Sequence, residues 1–163
     1  MGSKLLLPLF MPTCTTKYHG DIEYSEDRVL TFPAGLIGFE EHTRFLLLEN
    51  PATRPIVYLQ SLSHPDLCFI ALPAKVVDAD YELDVSEEEA GLLELPTDGP
   101  AGPGDVLMLA LITIQSVRPT TANLLAPIVV NMASRRGRQV LSANPDHSHR
   151  APFLPVQETV ACS

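Results

Sequence analysis

The chain has no tryptophan, three cysteines and only eleven Lys plus Arg in 163 residues. Each shortage excludes something. Cys14, Cys68 and Cys162 are odd in number and far apart, so they make no disulfide framework and read as free thiols of a reducing cytosol. No apolar run approaches the roughly 20 residues that a membrane helix needs. Against the eleven basic side chains stand 20 Asp and Glu, a formal net charge of −9. That balance lacks the basic footprint of a nucleic-acid binder and favours attraction to a basic partner. Catalytic signatures are missing too: no nucleophile elbow, no zinc-binding helix motif, no phosphate-binding glycine loop and no kinase set. His19, His42 and His64 lie near turns with no nucleophile close in sequence. Glu40 and Glu41 are adjacent and would point to opposite faces of an extended chain. The residues support no catalysis and no cofactor.

What remains is apolar sequence arranged mainly in short runs. At 45% apolar the chain is an ordinary globular protein, long enough for one domain with a real core. Residues 1–14 read as a flexible segment or tag remnant. Lys4 before residues 5–11 loosely mimics a signal peptide, but Pro8 interrupts the run and no cleavage site follows. Residues 17–24 predict a strand bent at Gly20, and residues 29–32 a short strand. Residues 44–49 predict another strand. Residues 56–62 and 67–72, with His64-Pro65-Asp66 between them, predict a hairpin.

The clearest periodicity runs over residues 77–85. Val77, Ala79, Tyr81, Leu83 and Val85 alternate with Asp78, Asp80, Glu82 and Asp84. Period two predicts an extended strand with one apolar and one acidic face. Ser86 with Glu89 three residues on is a capping-box pattern, opening a short helix to about Glu94. A Pro- and Gly-rich surface loop over 96–104 follows. The nine-residue apolar run 106–114, broken only by Thr113, predicts a central strand buried on both faces; as a helix it would make the protein α+β instead. In residues 121–141, Pro127 belongs at an edge or a bulge, and residues 139–141 start a returning strand. Residues 142–163 read as a loosely ordered arm, with 152–154 docked on the main domain, residues 15–141. The expected fold is all-β: a small antiparallel barrel or closed sandwich of about eight to ten strands with one short helix.

Three clusters carry possible chemistry. Asp78, Asp80, Glu82, Asp84, Ser86 and Glu89 have the spacing of a calcium loop, but Leu83 sits where that loop's sharp turn needs glycine, and strict alternation explains the acids more simply. From residue 76 to 117 there are ten acids and no Lys or Arg. One-signed charge on a strand is costly, and it would steer a basic partner. His147 and His149, with Cys162, are spaced for a metal but lie in the arm. Arg135, Arg136 and Arg138 beside Gly137 suit either a solubilising hairpin tip or a phosphate or carboxylate.

Asn123, Leu124, Ala126, Pro127, Ile128 and Asn131, followed by Arg135, Gly137, Gln139 and Val140, carry a recognisable pattern. So do Phe32, Gly35, Leu36, Gly38, Phe39 and Glu40, a loop in which glycines at 35 and 38 imply positive φ. Tyr58-Leu59-Gln60-Ser61-Leu62 with Pro65, Leu67 and Phe69 adds a third block. Together these resemble the flagellar assembly factor FliW family over about residues 18–150. The family often has Trp where Tyr58 stands, and Leu125 departs from its usual basic residue. Arg150 matches an Arg that precedes an apolar pair. The resemblance implies a cytoplasmic, non-catalytic protein, monomeric when free, without direct contact to nucleic acid or membrane. It implies two partners: the RNA-binding regulator CsrA, held off flagellin translation, and flagellin. Candidate contacts are Asp78, Asp80, Glu82, Asp84, Asn123, Pro127 and Asn131. Phe32, Gly35, Gly38 and Phe39 form the structural loop. Two other readings stay open: a small-molecule-binding barrel or enzyme, and a flagellin chaperone with no translational role.

Overall fold

The computed structural model describes residues 11–96 and 105–152. Its first strands, β1 (Thr13–Thr16) and β2 (Gly20–Glu23), form a separate hairpin. Seven strands then close a barrel: β3 (Val29–Thr31), β4 (Arg44–Glu49), β5 (Val57–Ser61), β6 (Cys68–Pro73), β7 (Val106–Thr113), β8 (Thr121–Asn131) and β9 (Arg136–Gln139). Neighbours in sequence are antiparallel neighbours in space. The seam between β9 and β3 is parallel and consists of the pair Thr31 and Arg136. Closure leaves the barrel itself without free sheet edges. A two-residue strand, β10 (Ala151–Pro152), adds to the start of β8.

Phe32, Phe45, Leu59, Leu109 and Ile128 fill the barrel and are fully buried. The rings of Phe32 and Phe45 meet edge to face at 5.4 Å, the arrangement their quadrupoles prefer. Three apolar patches on the outside are each covered by a different segment. The β1–β2 hairpin covers Val29 and Leu46 through Cys14. Helix α1 (Ala74–Val77) and the segment after it cover Ala110, Ala122 and Leu124. Helix α2 (Glu87–Leu92) and its exit cover Val129 and Val140 through Leu93. Strand β7 shows both linings at once: Leu109 packs inside and Ala110 outside. The central-strand expectation therefore holds for its middle, and the α+β alternative falls. Its end differs, since Thr113 and Ile114 are exposed.

Several expectations need correction. Residues 17–24 are not one bent strand; Gly20, at φ +70°, ends the turn of a hairpin. Residues 77–85 are not a strand either. Val77 closes α1, and residues 78–85 run along the barrel without a sheet partner. They open with a turn, closed by the Tyr81 N–H donating to the Asp78 carbonyl at 3.0 Å, and only residues 81–85 lie on an apolar surface with the alternating burial of a strand. Ala79 breaks the pattern by being exposed. The returning strand is Arg136–Gln139 and not 139–141, and Leu141 is exposed. Among the described residues two α-helices and two 3-10 turns, Glu26–Arg28 and Pro51–Thr53, stand where one helix was expected. The expectations for residues 1–10, 97–104, Phe153, Leu154 and Cys162 lie outside the described residues.

Candidate functional site

Strand β8 divides two surfaces. Its pairing with β7 slips between Leu109–Ile128 and Leu111–Asn123, so residues 124–127 bulge out of the ladder. Pro127, which has no N–H to donate, sits in this bulge as its chemistry requires. Every other backbone group there needs a partner from elsewhere. Asn123 Oδ1 accepts from the Ala126 N–H at 2.9 Å. The Leu124 and Leu125 N–H groups donate to the Ser148 carbonyl, at 2.9 and 3.2 Å. Tyr81 O–H donates to the Leu124 carbonyl at 2.8 Å, and Gln139 Nε2 to the Ala126 carbonyl at 2.9 Å. Val140 and Ser142 N–H groups donate to the carbonyls of Pro127 and Leu125. The bulge is a junction where the acidic segment, β9 and the arm meet.

On the outer face, Ala122 and Leu124 carry Tyr81, which anchors the acidic segment. Burial pushes the Tyr81 phenol up to about 12. His147 lies on its ring at 4.5 Å and its Nδ1 is 2.6 Å from Ser142 Oγ. The imidazole thus ties the arm down, and no group of three or more metal-ligating side chains exists among the described residues. Asp78, Asp80, Glu82 and Asp84 all face solvent. The Asp80 N–H donates to Asp78 Oδ1 at 3.0 Å. Ser86 and Glu89 complete the capping box and add Glu87 and Glu88 to the same exposed stretch. The acids form a continuous ridge held by one buried tyrosine.

The remaining candidates go inside. Pro127 and Asn131 are buried. Asn131 Nδ2 donates to the carbonyls of Leu93 (2.9 Å) and Glu94 (3.1 Å), closing the end of α2 onto β8. Arg136 pairs with Glu94 at 3.3 Å. Arg138 Nε is buried with no hydrogen-bond partner. Arg135 takes the positive φ of the β8–β9 turn, +59°.

On the other face of β8, Thr121 and Asn123 line a groove of about 620 Å³ at the barrel mouth. The glycine loop forms one rim. Gly35 (φ +67°) and Gly38 (φ +86°) both adopt left-handed backbone, and a Cβ on Gly35 would stand 2.5 Å from the Glu40 backbone. Gln139 Oε1 accepts from the Ile37 N–H at 3.0 Å. The Gly38 N–H donates to Glu40 Oε1 at 3.0 Å and holds that carboxyl below its usual range. Phe32 is buried beneath the loop, whereas Phe39 is partly exposed and meets Phe69 edge to face at 5.0 Å. Arg118, His149 and Arg150 also line the groove. Sequence reasoning gave Arg118 no role, because no motif marks a lone Arg at a hairpin end.

The chain is similar to known proteins. A family model described as FliW protein matches residues 13–154. The chain belongs to the FliW family. It is 33% identical to the flagellar assembly factor FliW of Natranaerobius thermophilus, with 90% of this chain and 95% of that protein covered. With the FliW of Bacillus subtilis it shares 32% identity over 85% of this chain and 94% of the relative. A crystal structure of the flagellar assembly factor FliW superposes with a TM-score of 0.78 at 34% identity, covering 90% of this chain and 99% of the other. No helix among the described residues is long and apolar enough to cross a membrane.

Proposed function

We propose that this protein is a non-catalytic, cytoplasmic flagellar assembly factor that binds the translational regulator CsrA and flagellin. Binding CsrA keeps it from repressing flagellin translation. Flagellin, as it accumulates, takes the factor away and releases the regulator. The observation that carries the reading is the acidic ridge from Asp78 to Glu89, on a chain of net charge −9. A one-signed ridge held on a rigid barrel suits a basic RNA-binding partner, because it adds long-range attraction without changing the fold. The barrel interior argues in the same direction. Phe32, Phe45 and Leu59 occupy the space a small-molecule barrel would leave open.

Separate pull-downs with purified CsrA and purified flagellin test the reading. Binding to both, each excluding the other, is the expected result. Flagellin binding without CsrA binding would leave a chaperone with no translational role. Binding to neither would overturn the proposal.

A further inference from the structure

The groove at the barrel mouth differs in chemistry from the rest of the surface. Among the described residues none of its lining side chains is an Asp or Glu, although the chain has 20 of them. Arg118 and Arg150 face it and make no ion pair among the described residues. Apolar side chains stand out on the glycine-loop rim: Ile37 is 64% exposed and Phe39 39%. The loop that presents Ile37 is fixed, with two glycines in left-handed backbone and the Ile37 N–H bound to Gln139. Exposed apolar groups on a rigid rim, next to unpaired cations, describe a binding surface and not a solvated face.

We propose that this groove docks a peptide segment of a partner protein that carries both apolar and acidic side chains. Its apolar groups cover Ile37, Phe39 and Leu111, and its carboxylates meet Arg118 and Arg150. Arg suits the task, since its planar fork binds a carboxylate through two hydrogen bonds. Charge complementarity selects this occupant: a basic segment gains nothing from the two arginines and is drawn to the acidic ridge instead. Because Asn123 lines the groove while Leu124 holds Tyr81, the two surfaces lie on opposite faces of β8. The protein can therefore engage an acidic segment and a basic partner at separate places. The inference does not depend on the identity of either proposed partner.

The test is selection of a displayed random 12-residue peptide library on the full chain, with Arg118→Glu/Arg150→Glu as the counter-target. Enriched peptides should combine apolar residues with Asp or Glu. A synthetic copy of the best one should bind the double variant at least about tenfold more weakly, as loss of charge-assisted hydrogen bonds implies. Amide shifts on titrating it should centre on Ile37, Ile112 and Asn123. Circular dichroism checks the variant's fold, and Ile37→Asp provides a second loss on the glycine-loop rim. Enrichment of basic peptides, equal binding to both variants, or shifts confined to residues 78–89 would overturn the proposal. So would a dimer in solution that either variant splits, which would make a second copy the occupant. Binding that appears only after deletion of residues 153–163 would give the groove to this chain's own terminus.

Discussion

Gln139 and Ile37, 102 residues apart, are joined by one hydrogen bond: the Ile37 N–H donates to Gln139 Oε1 at 3.0 Å. The same side chain donates through Nε2 to the Ala126 carbonyl. One amide therefore ties the glycine loop to the bulge of β8, spanning the groove's base. Gln139→Ala leaves both backbone groups seeking water. It should cost about 1–2 kcal/mol in urea unfolding, and hydrogen exchange at Ile37 should accelerate while that of β5 stays unchanged. Equal protection at Ile37 in both proteins would remove the bridge from the account of the loop.

The two loop glycines make separable demands. Gly38→Ala meets open space and only the strain of φ +86°, about 1 kcal/mol. Gly35→Ala meets that strain and the Glu40 backbone at 2.5 Å. It should destabilise the protein clearly more than Gly38→Ala in parallel denaturant titrations. Equal losses would show that the loop yields at Glu40.

Position along β7 should decide the cost of truncation. Leu109 is fully buried inside the barrel, so Leu109→Ala should cost roughly 2–5 kcal/mol. Ile114, 64% exposed beyond the strand's end, should lose at most about 0.5 kcal/mol as alanine. Thermal or urea midpoints of the pair check this directly.

Charge reversal tests the ridge. Asp80→Lys with Glu82→Lys places two cations where four exposed carboxylates lie together. Association with CsrA should slow, most at low salt, while dissociation changes less. Biolayer interferometry at two salt concentrations reads both rates, with circular dichroism as the control for folding. An unchanged association rate in the folded variant would move that interface away from the ridge.

Tyr81 gives an alkaline signature. Its phenol is raised from 10.0 to about 12 by burial, so the folded state holds the proton more tightly than the unfolded one. Stability from this group is complete below pH 10 and falls as pH rises towards 12. Tyr81→Phe should flatten that fall. It should also cost about 1 kcal/mol at neutral pH, for the lost bond to the Leu124 carbonyl. Unfolding midpoints at pH 8, 10 and 11 separate the two effects.

The barrel was legible where the sequence imposes only one geometry. The apolar runs of β4, β5 and β6, the glycines at 35 and 38, and the Ser86 capping box each allow little else, and each appears where the pattern places it. Residues 78–85 were misread because alternation is blind both to the turn at Asp78–Tyr81 and to whether the half-buried chain after it has a sheet partner. Pro127 and Asn131 stood out in the motif, and burial is what the motif does not display: one sits in the bulge and the other closes α2. The groove was illegible for a different reason. Ile37, Arg118 and Arg150 come from three distant parts of the chain, and only barrel closure brings them to one mouth.

That closure also sets an order of events during synthesis. The seam is one parallel pair, Thr31 with Arg136, supported by the Thr31 N–H donating to the Arg135 carbonyl at 2.8 Å. As the chain leaves the ribosome, β3 emerges early and waits with an open edge until residue 136 is free of the exit tunnel. Strands β4 to β6 can already have paired by then, because each contacts its neighbour in sequence. The nascent protein thus passes through a curled, unsealed sheet whose exposed edge invites pairing with other nascent chains. Pausing translation between residues 113 and 152, while residue 136 is unmade or still inside the tunnel, would prolong that state and raise aggregation, whereas pausing before β3 is made would not.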